Sequence, residues 1–245
     1  MSIFSDHGSD DPWMQHPGNA GAPPALGSEQ PALRIEIIKG VKSLDTQVGV
    51  FPKKTVPDAL HDALFGQPEP TAAEIKAAGG DASAVASMQT YAILDAAKVT
   101  NLPELLERSG LEHRCLFKGA AYDELKSVAP WIVRLEEGTP FTRNLFTCSD
   151  ASWHLWDNEP GIYIRSRGTL NDMWRHFRKF TRVQDENGKW FYFRFYDPVC
   201  AASAVSLLYA IENSILRPSC YPAMMVVAGP SVKERRTGRL GHDQI

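Results

Sequence analysis

Two aspartates, Asp95 and Asp197, are the side chains with the clearest capacity for chemistry, because a pair of carboxylates can hold a divalent metal or share acid–base work. Each also has a simpler role at the end of an element. Asp95 closes the apolar run Tyr91-Ala92-Ile93-Leu94, and Asp197 precedes Pro198, the natural start of a helix. We read both as structural, since nothing around them completes a catalytic set. There is no nucleophile elbow, Walker loop, HExxH or dinucleotide fingerprint. The seven histidines are dispersed, and the four cysteines (Cys115, Cys148, Cys200, Cys220) form no CxxC pair. The sequence therefore predicts no catalytic residue, no metal ligand and no cofactor.

The other chemistry-bearing stretch is basic and aromatic. Residues 160–196 carry eight Lys or Arg against three Asp or Glu, interleaved with rings. Binders of single-stranded nucleic acid combine the same residue types, cations on phosphates and rings under bases, which makes this the alternative function class. Most of the rings fall at core periodicity, however, leaving mainly Trp190, Tyr192 and Tyr196 to point outward. Trp153 and Trp156 lie beside the polar run Asp157-Asn158-Glu159-Pro160-Gly161 and could serve equally as an interface hot spot or as flaps over a core. Arg194 and Asp197 have the spacing of a structural ion pair. His176 is expected to face outward on its helix or pack against a sheet edge.

The composition is that of an ordinary folded protein: 245 residues, 43% hydrophobic, 22% charged and a net charge of −3. So small a net charge excludes wholesale attraction to nucleic acid or anionic lipid. Scattered cysteines suit a reducing compartment. The start, Met1-Ser2-Ile3-Phe4, lacks the basic and apolar regions of a signal peptide. The longest apolar stretch, Cys200–Ile211, falls short of the ~20 residues that span a bilayer. A cytoplasmic location is expected.

Four regions must position these residues. Residues 1–31, with five prolines and four glycines, are expected to form a disordered arm. Residues 32–87 read as an accessory region. It comprises a small hairpin from Ala32–Ile38 and Gln47–Phe51, a short helix at Asp58–Phe65, and a second helix at Thr71–Ala78 whose Thr71 and Glu74 form a capping box. Residues 88–216 form the main domain, an α/β (α+β) unit with a mixed sheet and helices, and residues 217–245 a C-terminal extension with a basic tail.

Within the main domain, strands are predicted at Tyr91–Asp95, His113–Phe117, Trp131–Leu135 and Gly161–Arg165. A helix follows Asn101, with Glu104 at capping distance and Gly110 closing it. Another is expected at Thr139–Cys148. A third follows Thr169 and Asp172, with Leu170, Met173, Trp174 and Phe177 on one face. Asn187-Gly188 predicts a two-residue hairpin turn that sets Phe180 opposite Phe195, Arg182 opposite Phe193 and Gln184 opposite Phe191. Phe191, Phe193 and Phe195 then take the core face, and Trp190, Tyr192, Arg194 and Tyr196 the outer one. The nearly all-apolar Val199–Ile211 reads as a buried helix that could cover that outer face, as could the segment near Met224–Val227.

These residues carry a resemblance. Leu94-Asp95, Leu116-Phe117, and Ala129-Pro130-Trp131-Ile132-Val133 with Leu135 make up its first half. The second half holds Gly161-Ile162 with Ser166, His176-Phe177-Arg178, Val183, Gly188 and Phe193-Arg194-Phe195-Tyr196-Asp197-Pro198. Together they resemble the type VI secretion adaptor family (Tap/TEC-like proteins) over about Tyr91 to Pro198. The resemblance implies an α/β domain that binds a toxic effector as a chaperone and helps load it onto the VgrG spike. It casts Asp95, Pro130, His176, Arg178, Phe195, Asp197 and Pro198 as its structural motif. Residues 1–85 have no counterpart in the family pattern, and the chain departs from it again after Pro198. Partner contacts are expected at Trp153, Trp156, Trp190, Tyr192, Arg194 and Tyr196.

Overall fold

A computed structural model describes residue 38, residues 40–198 and the backbone of 224–226. The expected arm, the strand at Ala32–Ile38 apart from Ile38 itself, the helix at Val199–Ile211 and the rest of the C-terminal extension lie outside the described residues.

The fold is built on a five-stranded sheet: β1 (Gln89–Asp95), β2 (His113–Cys115), β3 (Pro130–Leu135), β4 (Gly161–Ser166) and β7 (Met224–Val226), in the order β2-β3-β1-β4-β7. The α/β class is as the sequence indicates. Every ladder is antiparallel, a narrower arrangement than the mixed sheet expected. The segment Met224–Val226, considered above as a cover for the hairpin, pairs instead with β4 as an edge strand.

Strand alternation divides the core in two. Ala92 and Leu94 of β1, Trp131 and Val133 of β3 and Tyr163 of β4 face one side, where they meet helices α1 (Asp58–Phe65), α3 (Leu102–Ser109) and α5 (Pro140–Phe146). Tyr91, Ile93, Ile132, Ile162 and Ile164 face the other, under α6 (Leu170–Phe177) and the aromatic segment 193–196. Gly161 opens β4 opposite Leu94, at a point where β1 comes so close that a Cβ would overlap the Ile93 carbonyl.

Helix signals were mostly legible. Thr71 and Thr169 each form the full capping box, on α2 (Ala72–Ala77) and on α6. Asn101 does not cap α3: it adopts the left-handed region at φ 55° with no side-chain bond to the helix, while Gly110 closes the other end as expected. A further short helix, α4 (Ala120–Leu125), occupies the connection before β3.

The accessory region is corrected in two respects. Gln47–Phe51 is a turn rather than a strand. Its Gln47 side chain bonds the backbone of Lys54 at both ends of the amide and so closes a loop where a ladder was expected. The region is also no appendage. Leu44, Val56, Leu60 and Leu64 are buried in the same cluster as Leu94 and Phe146. Two buried arginines of the β4 end fasten it further. Arg165 donates to the carbonyls of Ala63 and Gly66, and Arg167 to those of Pro68 and Ala86 and to the Glu74 carboxylate. Burial alone would raise the Glu74 pKa, but bonds from the Thr71 backbone and Arg167 outweigh it and hold it low.

Candidate partner-binding surface

The short strands β5 (Arg182–Gln184) and β6 (Trp190–Tyr192) form a separate two-stranded hairpin. Its register is Arg182↔Tyr192, Val183↔Phe191 and Gln184↔Trp190, one residue away from the predicted pairing. The turn explains the slip. Asp185 accepts the amides of Asn187 and Lys189 on its side chain, Gly188 takes φ 82°, and Asp185 N–H donates to the Lys189 carbonyl. The result is a three-residue loop ending in a left-handed glycine, the next most common hairpin closure after the two-residue one.

Phe193 and Phe195 pack into the core as expected, but the strands stop at Tyr192, and on the hairpin itself the expected division into a core face and an outer face fails. All six strand residues are exposed, Phe191 included. Trp190 (48% exposed) and Tyr192 (52%) share one face with Arg182 and Gln184; Val183 and Phe191 share the other. Cations lie against the rings, Arg182 at 5.0 Å from the Trp190 centroid and Lys189 at 5.1 Å from that of Phe191. The Tyr192 ring also meets Phe117, just after β2, at 5.0 Å. Beside the hairpin, Arg114 and Arg178 both stack on the Trp174 ring, whose indole N–H donates to the Cys115 carbonyl.

A hairpin of this size is marginal alone in water, so its base must hold it. Phe193 N–H donates to the Thr181 carbonyl, and the chain then turns through Phe195 and Tyr196 into the core. Phe195 is fully buried against Phe177, Phe180, Phe193 and Tyr196. Arg194 reaches back to the buried Asp95 at the end of β1. It lies 3.9 Å from Asp197, which also pairs with Lys98 at 3.1 Å. Burial would lower the Arg194 pKa, but the Asp95 hydrogen bond overrides it and raises it.

The two aspartates first considered for chemistry do approach one another, with Arg194 between them. The sequence pairing of Arg194 with Asp197 is thus the minor contact. The main partner, Asp95, is 99 residues away, and no local spacing pointed to it. Among the described residues no group of three or more His, Cys, Asp or Glu is placed to hold a metal ion.

The remaining motif residues make contacts within the fold. Pro130 stands opposite Asp95 in the ladder, and its carbonyl accepts the Leu116 amide. Arg178 caps the end of α6, and Pro198 is buried. His176 does not face outward. It packs edge-on against Phe177 and Phe180, and burial, helped by Lys179, drives its pKa down to about 4.

Two of the expected partner contacts are corrected. Tyr196 is 4% exposed and belongs to the aromatic core. Trp156 is 6% exposed and packs with Phe146 on the opposite side of the sheet. Trp153 is exposed, on the segment whose Leu155 and Trp156 pack into the α5-side cluster. The surface with geometry for binding is therefore the hairpin, with Trp190, Tyr192 and the missed Val183 and Phe191.

The segment built around this hairpin is also what comparison with known families recovers. The model of the family described as "Domain of unknown function (DUF4123)" matches residues 90–213, just over half of the chain. The chain belongs to this family. The DUF4123 match begins within β1 and takes in β2 to β4, α3 to α6, the hairpin and the Phe193–Pro198 segment. It leaves out α1, although Leu60 and Leu64 of that helix belong to the same core. No curated protein and no solved structure matches the chain.

Proposed function

We propose that this DUF4123 protein is a non-catalytic adaptor and chaperone that binds a type VI secretion effector and helps load it onto the VgrG spike. The observation that carries the reading is the exposed hairpin. Four large apolar side chains, Val183, Trp190, Phe191 and Tyr192, stand on a projection whose base is fixed in the core. Aromatic rings with cations beside them are what protein interfaces concentrate at their centres, and exposed apolar clusters of this kind mark binding sites. The resemblance of the motif residues to the secretion adaptors supplies the class of partner. Asp95 and Asp197 serve to anchor the hairpin, and we assign the protein no turnover of its own.

No helix among the described residues is long and apolar enough to cross a membrane. We place the adaptor in the cytoplasm, where effector and spike are made.

The test uses Trp190→Ala/Tyr192→Ala in the full chain, with purified effector and purified VgrG as probes. Both rings are exposed, so the melting temperature should stay at the wild-type value while affinity for one partner falls at least roughly tenfold, the loss of a single modest hot spot. Wild-type affinity for both partners in the variant would remove the hairpin from the interface. Retention of single-stranded nucleic acid by the wild type, abolished in the variant, would replace the adaptor reading.

A further inference from the structure

Arg114 of β2 and Arg178 at the end of α6 lie against the same indole ring, their guanidinium carbons 3.4 and 4.6 Å from the Trp174 centroid. The sum of those two distances is the most that can separate the two charges. Like charges held this close repel, and stacking on the ring offsets part of that cost. Arg182 continues the set. It follows Arg178 by a single 3-10 turn and stacks at 5.0 Å on Trp190. Across the hairpin it faces Tyr192, whose ring touches Phe117, just beyond β2. No ion pair among the described residues involves Arg114, Arg178 or Arg182.

The acids of the same elements do not cancel these charges. Residues 170–192 carry five Lys or Arg against three Asp or Glu, and β2 adds Arg114. Asp172 accepts the Thr169 amide and hydroxyl, Asp185 the amides of Asn187 and Lys189, and Glu112 beside β2 pairs with Arg134. Glu186 is the remaining acid, in the hairpin turn. Stacking decides what the arginines can still do. It occupies the flat face of a guanidinium and leaves the N–H groups in the plane, which suit the two oxygens of a carboxylate. Arg114 uses one of these groups on Asn171 at 3.2 Å, and Arg178 and Arg182 donate no side-chain hydrogen bond to a described residue. The rings, by contrast, are taken. Trp174 is 7% exposed, Arg182 lies on Trp190, Lys189 on Phe191 and Phe117 against Tyr192. A nucleic-acid base would compete for these rings with the groups already on them, whereas a carboxylate adds to the arginines without displacing anything.

We propose that Arg114, Arg178 and Arg182 receive the carboxylates of an Asp- and Glu-rich segment on the same protein partner that the hairpin binds. The inference rests on the adaptor reading and specifies the chemistry of its partner: apolar groups meet Trp190 and Tyr192, and carboxylates meet the arginines alongside. Complementary charges at the margin of an interface act chiefly on the rate of association, and salt screens them.

The experiment places Arg114→Gln/Arg178→Gln in one full-length variant and Arg182→Glu in another. Each is compared with Trp190→Ala/Tyr192→Ala by biolayer interferometry against the purified effector and the purified VgrG. Raising the salt from about 50 to about 300 mM should slow association of the wild type with the hairpin's partner, and both arginine variants should flatten that dependence. Both should also lose at least roughly tenfold affinity for the partner that Trp190→Ala/Tyr192→Ala loses. Arg182 is exposed, so Arg182→Glu is expected to melt like the wild type and decides the outcome if the pair on Trp174 proves necessary for folding. Wild-type affinity and an unchanged salt dependence in Arg182→Glu overturn the proposal, as does loss of only the partner that the hairpin does not bind. Arginine-dependent retention of single-stranded oligothymidine in preference to either protein names nucleic acid as the occupant and also overturns it. A wild type that captures neither protein defeats the adaptor reading and this inference together. A hairpin variant that loses a partner while both arginine variants keep it defeats the inference alone.

Discussion

At the scale of single residues, the aromatic cluster under the hairpin places a titratable group where solvation is poor. His176 is held neutral by burial among Phe177 and Phe180, with a pKa of about 4 against an ordinary 6.5. Above pH 6.5 both folded and unfolded chains carry it neutral, and the fold keeps its full stability. Between 6.5 and 4 the unfolded chain takes up the proton first, so stability falls as the pH falls, by up to roughly 3 kcal/mol at about 1.4 kcal/mol per tenfold change in proton affinity. Urea denaturation across that range should show the decline in the wild type and a shallower one in His176→Phe, which keeps a ring and removes the proton. Equal slopes would mean that His176 is solvated. The sequence placed this residue on the right helix, but α6 is crossed by the segment 193–196, and which side of a helix a returning segment covers is a long-range fact.

At the scale of elements, the strands and capped helices were legible because their causes are local: short apolar runs along β1, β3 and β4, and reciprocal bonds at Thr71 and Thr169. The hairpin was legible in existence and misread in register. Asn187-Gly188 fits two closures, and the choice between them was made by the Asp185 side chain, which accepts two amides of its own turn. The turn at Gln47 was misread for a related reason: Val48, Val50 and Phe51 have strand-like propensity, and only the bond to Lys54 reveals a loop. Among the ladders, β1–β4 is the least tolerant. Gly161→Ala would drive its new methyl into the Ile93 carbonyl, and overpacking against backbone has no side chain to yield. A loss of roughly 3 kcal/mol in denaturant midpoint experiments is expected, with protection from hydrogen exchange reduced along β1 and β4. A variant as stable as the wild type would show that the two strands can move apart freely.

For the whole molecule, the boundary suggested by sequence, with an accessory region ending near residue 87, does not separate folding units. Leu44, Val56, Leu60 and Leu64 are buried in the main core, at about 1.5–3 kcal/mol apiece, a sum comparable to the whole stability of a typical domain. A chain beginning at residue 88 should therefore fail to fold, whereas a chain beginning at residue 38 should melt cooperatively. Limited proteolysis of the free, full chain should leave residues 55–66 intact without any cargo. Ready cleavage there, followed by protection on adding effector, would show instead that this region orders only on binding.

The arginines that hold this seam have a further consequence. Arg165 and Arg167 grip the segment almost wholly by its carbonyls, at Ala63, Gly66, Pro68 and Ala86, with Glu74 the single side chain engaged. A carbonyl is presented by every kind of residue, so the grip reads the path of the chain and is nearly blind to its spelling. The segment from 63 to 86 can change its surface residues widely, provided the path is kept and position 74 stays acidic. The joint is a socket rather than a lock. One sheet could carry differently worded segments at this place, each presenting its own exterior, without any alteration to the strands that hold it.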